Sequence, residues 1–394
     1  MRGQLIMMTL MNLNRLPDTF TTPGFVDMHV NFREPGSNTA ETIASGSLTA
    51  AQSGYALVAD MPNNPGVPTW TEAAVIDKQQ RIERTSYIAM TANVGSQPDS
   101  DNIGQLEAMS KRSLLYKIYA AATTGNHIDY EARDFRTAVA EWHRVAPNKP
   151  IGVHAGRDNL SDFIGLIASD FKHPMVLHHV NNPDDVRTVT RAKKMGLAVD
   201  CAVTGHHVFK TSHDVVTQGW FGRMMPELAS QVDSEHLLRQ LADGEIAAVE
   251  TDHAPHVASS KYVAEAENPA GVVGPNETTC FGVSGIELTP QLFFYQVERG
   301  TINMERLVDA MSTQPARILG VSLDPGTQAM WRREVYRIND EKHYARSGAG
   351  WSPYLGMMAV GKLQTLKIQN RPIIAAGQLI QRDGRYISER GTLI

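Results

Sequence analysis

The chain has 394 residues, 42% of them hydrophobic and 20% charged, with a formal net charge of -5. This length buries a large core and suits a single α/β barrel with an appendage, while the mild acidity and lack of a basic block exclude a nucleic-acid partner. Cys201 and Cys280 are the only cysteines and no run of 18 apolar residues occurs, which excludes a disulfide framework and a membrane-spanning helix and leaves a cytoplasmic location as the expectation.

The first residues are briefly apolar but are interrupted by Asn12 and Asn14 and carry no small-residue cleavage site, so they do not read as a signal peptide. From there, short apolar strand candidates alternate with polar turns and helical patterns. The strands are Gly24–Val30, Ala56–Met61, Tyr87–Asn93, Leu114–Tyr119, Ile151–His154, Met175–Val180, Ala198–Val203 and Ile246–Glu250. A helix over Pro183–Met195 is framed by Asn182 as cap, proline in the first turn and Gly196 beyond the end. Ser234–Ala242, closed by Gly244, is another. Eight strand–helix units predict a (β/α)8 barrel, an α/β fold of the TIM type. No Gly-x-Gly-x-x-Gly follows an early strand, which argues against a dinucleotide site.

Tyr262–Thr279 is rich in Gly, Pro, Asn and Glu and reads as a long loop after the eighth strand. Met304–Met311 and Pro315–Leu319 are helix candidates. Beyond Met330 the pattern changes to short strands at Arg332–Tyr336, Thr365–Ile368, Ile373–Ala376 and Tyr386–Ser388. The expected organisation is a barrel over residues 23–329 and a small composite β appendage from residues 1–22 and 330–394.

The chemistry lies where the strands stop, and in a barrel those ends converge on one face. They carry His29 and Asn31, Asn63, Lys117, His154, His178-His179, and the run Thr251-Asp252-His253-Ala254-Pro255-His256. Imidazoles and carboxylates suit zinc. An ammonium has no lone pair, but a carbamylated Lys117 would offer an anionic bridge between two metals. Two metals about 3.5–4 Å apart generate hydroxide and polarise a carbonyl, and Asp252 would shuttle the proton. Each residue alone has a blander reading: a structural histidine, a salt-bridged lysine, a helix-capping aspartate, a turn asparagine at 63, an Arg33–Glu34 pair. His178 and His179 are adjacent, so on a strand only one of them faces the site. It is the convergence of these residues at separate strand ends that points to a metal centre.

The segments Gly24-Phe-Val-Asp-Met-His-Val-Asn-Phe-Arg-Glu-Pro-Gly36, Met61-Pro-Asn63, Lys117-Ile-Tyr119, His154-Ala155, His179-Val180, His206-His207 and Thr251-Asp-His-Ala-Pro-His256 resemble those of dihydroorotases in the amidohydrolase superfamily. The style is that of the type-I group and of the dihydroorotase domain of the animal multifunctional pyrimidine-synthesis protein, and the likeness spans nearly the whole chain. It implies reversible cyclisation of N-carbamoyl-L-aspartate to L-dihydroorotate in pyrimidine biosynthesis. It also implies one or two Zn2+ ions, with His29 and Asp252 on the more buried ion. A carbamylated Lys117 bridges, and His154 and His179 hold the second ion. Arg33, Asn63 and His256 clamp the substrate carboxylate, which a neutral hydantoin ring would not need. A homodimer is the common arrangement among such relatives.

Three departures stand out. Asn31 occupies the place of the second histidine in His-x-His, so as a metal ligand it is a weaker donor with a different reach. His154-Ala-Gly156 lacks a following acid, and Thr204-Gly205-His206-His207 has glycine where proline is common, which predicts a looser loop there. In the loop after the eighth strand, Pro275-Asn276 replaces a more usual leucine. Two alternatives therefore accompany the dihydroorotase reading. One is a non-catalytic homologue serving as a structural partner of aspartate transcarbamoylase. The other is a different cyclic amidohydrolase of hydantoinase or allantoinase type.

Overall fold

Six consecutive buried residues, Phe25–Val30, open the barrel as β2, preceded by β1 (Thr19–Pro23). The computed structural model describes residues 15–96, 98, 102–121, 130–156, 158–272, 278–339 and 348–394. The following strands are β3 (Tyr55–Asp60), β4 (Ala89–Ala92), β5 (Val94–Gly95), β6 (Tyr116–Tyr119), β7 (Ile151–His154), β8 (Met175–Leu177), β9 (Val199–Thr204) and β10 (Ala248–Glu250). All eight predicted barrel strands are present: Ile151–His154 has the predicted bounds, Tyr55–Asp60 and Val199–Thr204 are shifted by one residue, and the other five are one to three residues shorter. Their pairing is parallel throughout. Both faces are covered, as a parallel sheet requires.

The ladders run β2-β3-β4 and β5-β6-β7-β8-β9-β10. At Asn93 the fourth strand changes partner: Asn93 N–H donates to the Asp60 carbonyl, and Val94 N–H to that of Leu115. On the other side, a parallel bridge joins Val30 to His253, and Asn31 N–H donates to the His253 carbonyl at 2.7 Å. These two joints bring the strands round into a ring. Inward residues such as Val26, Met28, Leu57, Ala59, Val176, Ala202 and Ala248 fill its interior. The alternate residues, among them Phe25, Tyr55, Val58, Val153, Leu177 and Val249, pack outward under the helices.

The helix Pro183–Lys194 begins as expected, with the Asn182 side chain accepting from Asp185 N–H at 2.9 Å. The helix Gln231–Ala242 starts three residues earlier than predicted because Ser230 caps it. Met304–Val308 and Gln314–Leu319 are joined by a π-helical turn at Asp309–Thr313. The predicted long loop begins later than Tyr262, since Ala258–Glu267 is helical; Pro275-Asn276 lies outside the described residues. Gly205 does not loosen its loop. Thr204 caps the helix Gly205–Phe209, and the glycine sits close to Thr289 and Tyr354. Among the described residues, no helix is long and apolar enough to cross a membrane.

β11 (Gln328–Arg337), β12 (Met358–Ile368), β13 (Arg371–Ala375) and β14 (Gln378–Leu379) form an antiparallel sheet with β1 in the order β1-β11-β12-β13-β14. Tyr386–Ser388 does not join it. Its extended backbone runs beside β4 instead, with Ile387 N–H donating to the Met90 carbonyl. Trp331 fixes the sheet to the barrel: it is fully buried among Phe20, Phe25 and Phe294, and its indole N–H donates to Thr22 Oγ1 at 3.1 Å. Gly54, at φ +83°, lies so close to this indole that a Cβ would stand 2.5 Å from Cζ2.

Candidate active site at the strand ends

His29 on β2 sits between two carboxylates. Its Nε2 is 3.2 Å from Asp252 Oδ1, and its Nδ1 is 3.5 Å from Glu250 Oε1. Asn31, two residues on, turns its amide nitrogen inward and donates to the same Asp252 Oδ1 at 2.8 Å. To serve as a metal ligand it would have to present its oxygen instead.

Lys117 on β6 is fully buried and its Nζ makes no hydrogen bond among the described residues; it lies 5.2 Å from the centroid of the Tyr119 ring. Burial pulls this ammonium well below the ordinary lysine range, against the attraction of Glu250 and Asp252. The same burial, with repulsion from Glu250, pushes Asp252 up. Both shifts move the pair towards its neutral forms. A neutral amine is the form that reacts with carbon dioxide, so the environment suits carbamylation.

His154 Nδ1 and His179 Nε2 are 2.9 Å apart. His178 and His179 both face inward, contrary to the alternation expected of a strand. Their rings lie 4.8 and 5.2 Å from that of His29. β8 ends at Leu177, and His179 has φ +37°, so the chain twists and returns the second side chain to the interior. Asp252, at φ +43°, follows the same device after β10. Burial holds His29, His178 and His179 as neutral imidazoles, the form a metal requires.

Arg33 and His256 stand together at the edge of this cluster. Arg33 is 4% exposed, donates through Nε to the Pro255 carbonyl at 3.0 Å, and brings Nη2 to 3.2 Å from His256 Nε2. That imidazole nitrogen is also 2.9 Å from the Phe281 carbonyl, and burial together with the Arg33 charge keeps the ring neutral. Asn63 is half-buried in the turn after β3. Its neighbour Asn64 ties that turn to the Arg33 segment by donating to the Phe32 and Pro35 carbonyls. His206 and His207 are buried away from this role; His207 bonds Thr204 Oγ1 and the Pro226 carbonyl.

Several residues escaped sequence reasoning. Glu250 is 1% exposed; it takes the His179 N–H at 2.7 Å and stands 2.7 Å from His178 Nδ1. An acid closing the apolar run Ala247–Glu250, two positions before Asp252, was the available signal. His253 lies 3.0 Å from both oxygens of Glu41, while its Nδ1 accepts from Gly285 N–H at 3.1 Å. Asp27 takes the Thr251 hydroxyl at 2.5 Å and is pushed by burial to about 7. These contacts hold the chain on either side of Asp252.

The donor set fits a cation. Ligand atoms of His29, His179 and Asp252 lie within 4.8 Å of one another. Lys117 Nζ, Tyr119 Oη and His179 Nδ1 are buried atoms without a hydrogen-bond partner among the described residues, a costly state that a bound group relieves.

Residues 20–330 match the family model described as the amidohydrolase family. The chain belongs to that family. It is 30% identical over 371 residues to the dihydroorotase of Halalkalibacterium halodurans, covering 84% of this chain and 83% of that one. Among solved structures it resembles the L-hydantoinase (dihydropyrimidinase) of Arthrobacter aurescens, with a TM-score of 0.79 at 19% identity over 93% of this chain and 88% of the other. It also resembles the inactive dihydroorotase-like domain of the Chaetomium thermophilum CAD-like multifunctional protein, with a TM-score of 0.71 at 17% identity over 93% and 98%. The two structural likenesses speak to the fold alone.

Proposed function

We propose that this amidohydrolase is a dihydroorotase, interconverting L-dihydroorotate and N-carbamoyl-L-aspartate in pyrimidine biosynthesis. The observation that carries the reading is the Arg33–His256 pair, 3.2 Å apart, standing beside the buried polar strand ends. A guanidinium recognises a carboxylate through a bidentate fork, and a neutral imidazole adds a directional hydrogen bond. Asn63 completes the clamp. The roughly 30% identical dihydroorotase relatives, matched over most of their length, support the same substrate class.

His29, Lys117 as its carbamate, His154, His179 and Asp252 would hold zinc. Bound there, zinc supplies hydroxide and polarises the ring amide. Asn31 restrains Asp252 through its 2.8 Å hydrogen bond. Asp252, held partly neutral by burial, carries the proton to the departing ring nitrogen in hydrolysis. Exchanging Arg33 for alanine tests the clamp. The kcat/KM for L-dihydroorotate should fall about 10–100-fold, the worth of a charged hydrogen bond, while hydrolysis of the neutral dihydrouracil ring should change little. Equal losses on the two substrates would remove the clamp and favour a hydantoinase- or allantoinase-like activity.

One observation favours a second reading. The Asn31 amide occupies the Asp252 oxygen, and His154 and His179 are bonded to each other, an arrangement that also suits a non-catalytic homologue. Such a protein would be a structural partner of aspartate transcarbamoylase. Absence of turnover after zinc and bicarbonate treatment, with co-elution with that enzyme, would select it. For the catalytic reading we propose a cytoplasmic homodimer.

A further inference from the structure

The helix Glu72–Thr85 buries three side chains along one face, Val75, Lys78 and Ile82. The spacing is that of an apolar stripe, yet a lysine stands in its middle. The side chain is fully buried, and its ammonium meets the end of β3 and the turn beyond it. It pairs with the Asp60 carboxylate, donates to Asn64 Oδ1 at 2.6 Å and reaches the Met61 carbonyl at 3.4 Å. Compared with apolar side chains of similar volume, a buried ion pair adds little stability. What it adds is direction.

Both side-chain partners of Lys78 grip the segment that carries Arg33. Asp60 Oδ1 accepts from Phe32 N–H at 2.8 Å, and Asn64 Nδ2 donates to the Phe32 and Pro35 carbonyls at 3.0 and 2.9 Å. The backbone on either side of Arg33 is therefore tied to two side chains that meet on one ammonium. One turn along the same helix, Arg81 pairs with Glu34 at 3.2 Å, and Glu34 accepts from Ile43 N–H at 3.0 Å. The guanidinium at the far end of Arg33 is held separately, by the Pro255 carbonyl and His256. Asn63 lies in the same turn as Asn64, between Lys78's contacts at Met61 and Asn64.

We infer that Lys78 is a positioning residue for the carboxylate clamp. It stands behind the clamp and acts through Arg33, by fixing the root of that side chain against the turn that carries Asn63. The inference deepens the proposed function and rests on it for the identity of the bound carboxylate. The hold on the Arg33 segment is a property of the chain alone and is tested separately.

Lys78→Met combined with Asp60→Asn removes the ammonium without leaving a carboxylate unpaired, and it keeps an oxygen for Phe32 N–H. KM for L-dihydroorotate should rise about 10-fold with kcat changed by less than about 3-fold. Hydrolysis of the neutral dihydrouracil ring, and the Co2+ retained by metal-depleted protein, should not change. On an Arg33→Ala background the same pair of changes should add less than about 2-fold, because its effect runs through that residue. Equal losses on the two substrates, or a full further loss in the absence of Arg33, overturn the inference. Amide exchange over residues 31–36 needs no substrate. It should quicken about 10-fold in the variant while the β11–β12 ladder exchanges as in the wild type. Unchanged exchange overturns the inference even where the wild type turns over L-dihydroorotate. A wild type without turnover, together with the expected exchange, fails the dihydroorotase reading and leaves the positioning of Arg33 standing. Thermal melts check that the variant is folded. If it is not, Asn64→Ala, which cuts Lys78 off from the Phe32 and Pro35 carbonyls, should show the same pattern, and wild-type kinetics and exchange in that variant refute.

Discussion

The seam around Trp331 and the polar end of the barrel are buried to similar depth, yet they are built on opposite terms. At the seam the Trp331 side chain is fully partnered: the indole ring packs among Phe20, Phe25 and Phe294, and its N–H reaches Thr22. Towards the strand ends, Lys117 Nζ, Tyr119 Oη, His178 Nε2 and His179 Nδ1 are buried without hydrogen bonds among the described residues. Apolar burial with satisfied polar atoms stabilises a fold. Polar burial without partners weakens it and is tolerated where something else is to be bound. The molecule thus separates the region that holds it together from the region that acts.

Four changes would break or sharpen that separation. Asp252→Asn should lower turnover about 10²–10⁴-fold, the usual worth of a positioned proton carrier, with little shift of the urea midpoint; unchanged steady-state rates would remove its role. Trp331→Ala should cost about 3–5 kcal/mol of stability, measured by urea denaturation, and leave Co2+ binding unaltered. Lys117→Met should do the reverse of the tryptophan change. It removes a buried amine without partners, so the metal-free protein should gain about 1–3 kcal/mol while losing activity; a loss of stability would show that the lysine is better compensated than its contacts indicate.

The smallest effect concerns pH. Lys261 is buried against the Cys280 and Gly282 carbonyls, and burial pulls it from 10.5 down to about 7. The folded state gives up this proton first. Between about pH 7 and 10, unfolding therefore takes up a proton and folding gains stability as pH rises, by at most about 1.4 kcal/mol per unit. Below pH 7 the group adds no such slope. Urea midpoints at pH 7 and 9 should rise in the wild type by more than in Lys261→Met; parallel changes would assign the slope elsewhere.

What could be read from the sequence follows from periodicity. Eight short apolar runs bounded by turn residues located the barrel strands, because a parallel strand covered on both faces leaves a continuous apolar signature. Closing those strands into a ring makes neighbours of His29, Lys117, His154 and Asp252, since His29, His154 and Asp252 stand near, at or just past a strand's C-terminal end and Lys117 lies within β6. Alternation failed at His178 and His179, where a positive φ returns the second ring to the interior, a twist that no residue type announces. Glu250 was hidden for a related reason: at the end of an apolar run it reads as the first polar residue of a loop, and only the ring of strands turns it inward. Tyr386–Ser388 carried a strand-like composition, but its partner β4 lies nearly 300 positions earlier, too distant for local pattern to suggest.

The pairing of β1 with β11 has a bearing on handling the protein. It zips the residues that enter the barrel to those that leave it, Thr19 to Arg332 and Pro23 to Gln328, and it shields one long margin of the appendage sheet. The opposite margin is only the two-residue β14. Shortening the chain past residue 23 would expose the ten-residue β11 as an open template for strand addition, the route by which truncated β-sheets become adhesive, while the candidate site residues remained in place.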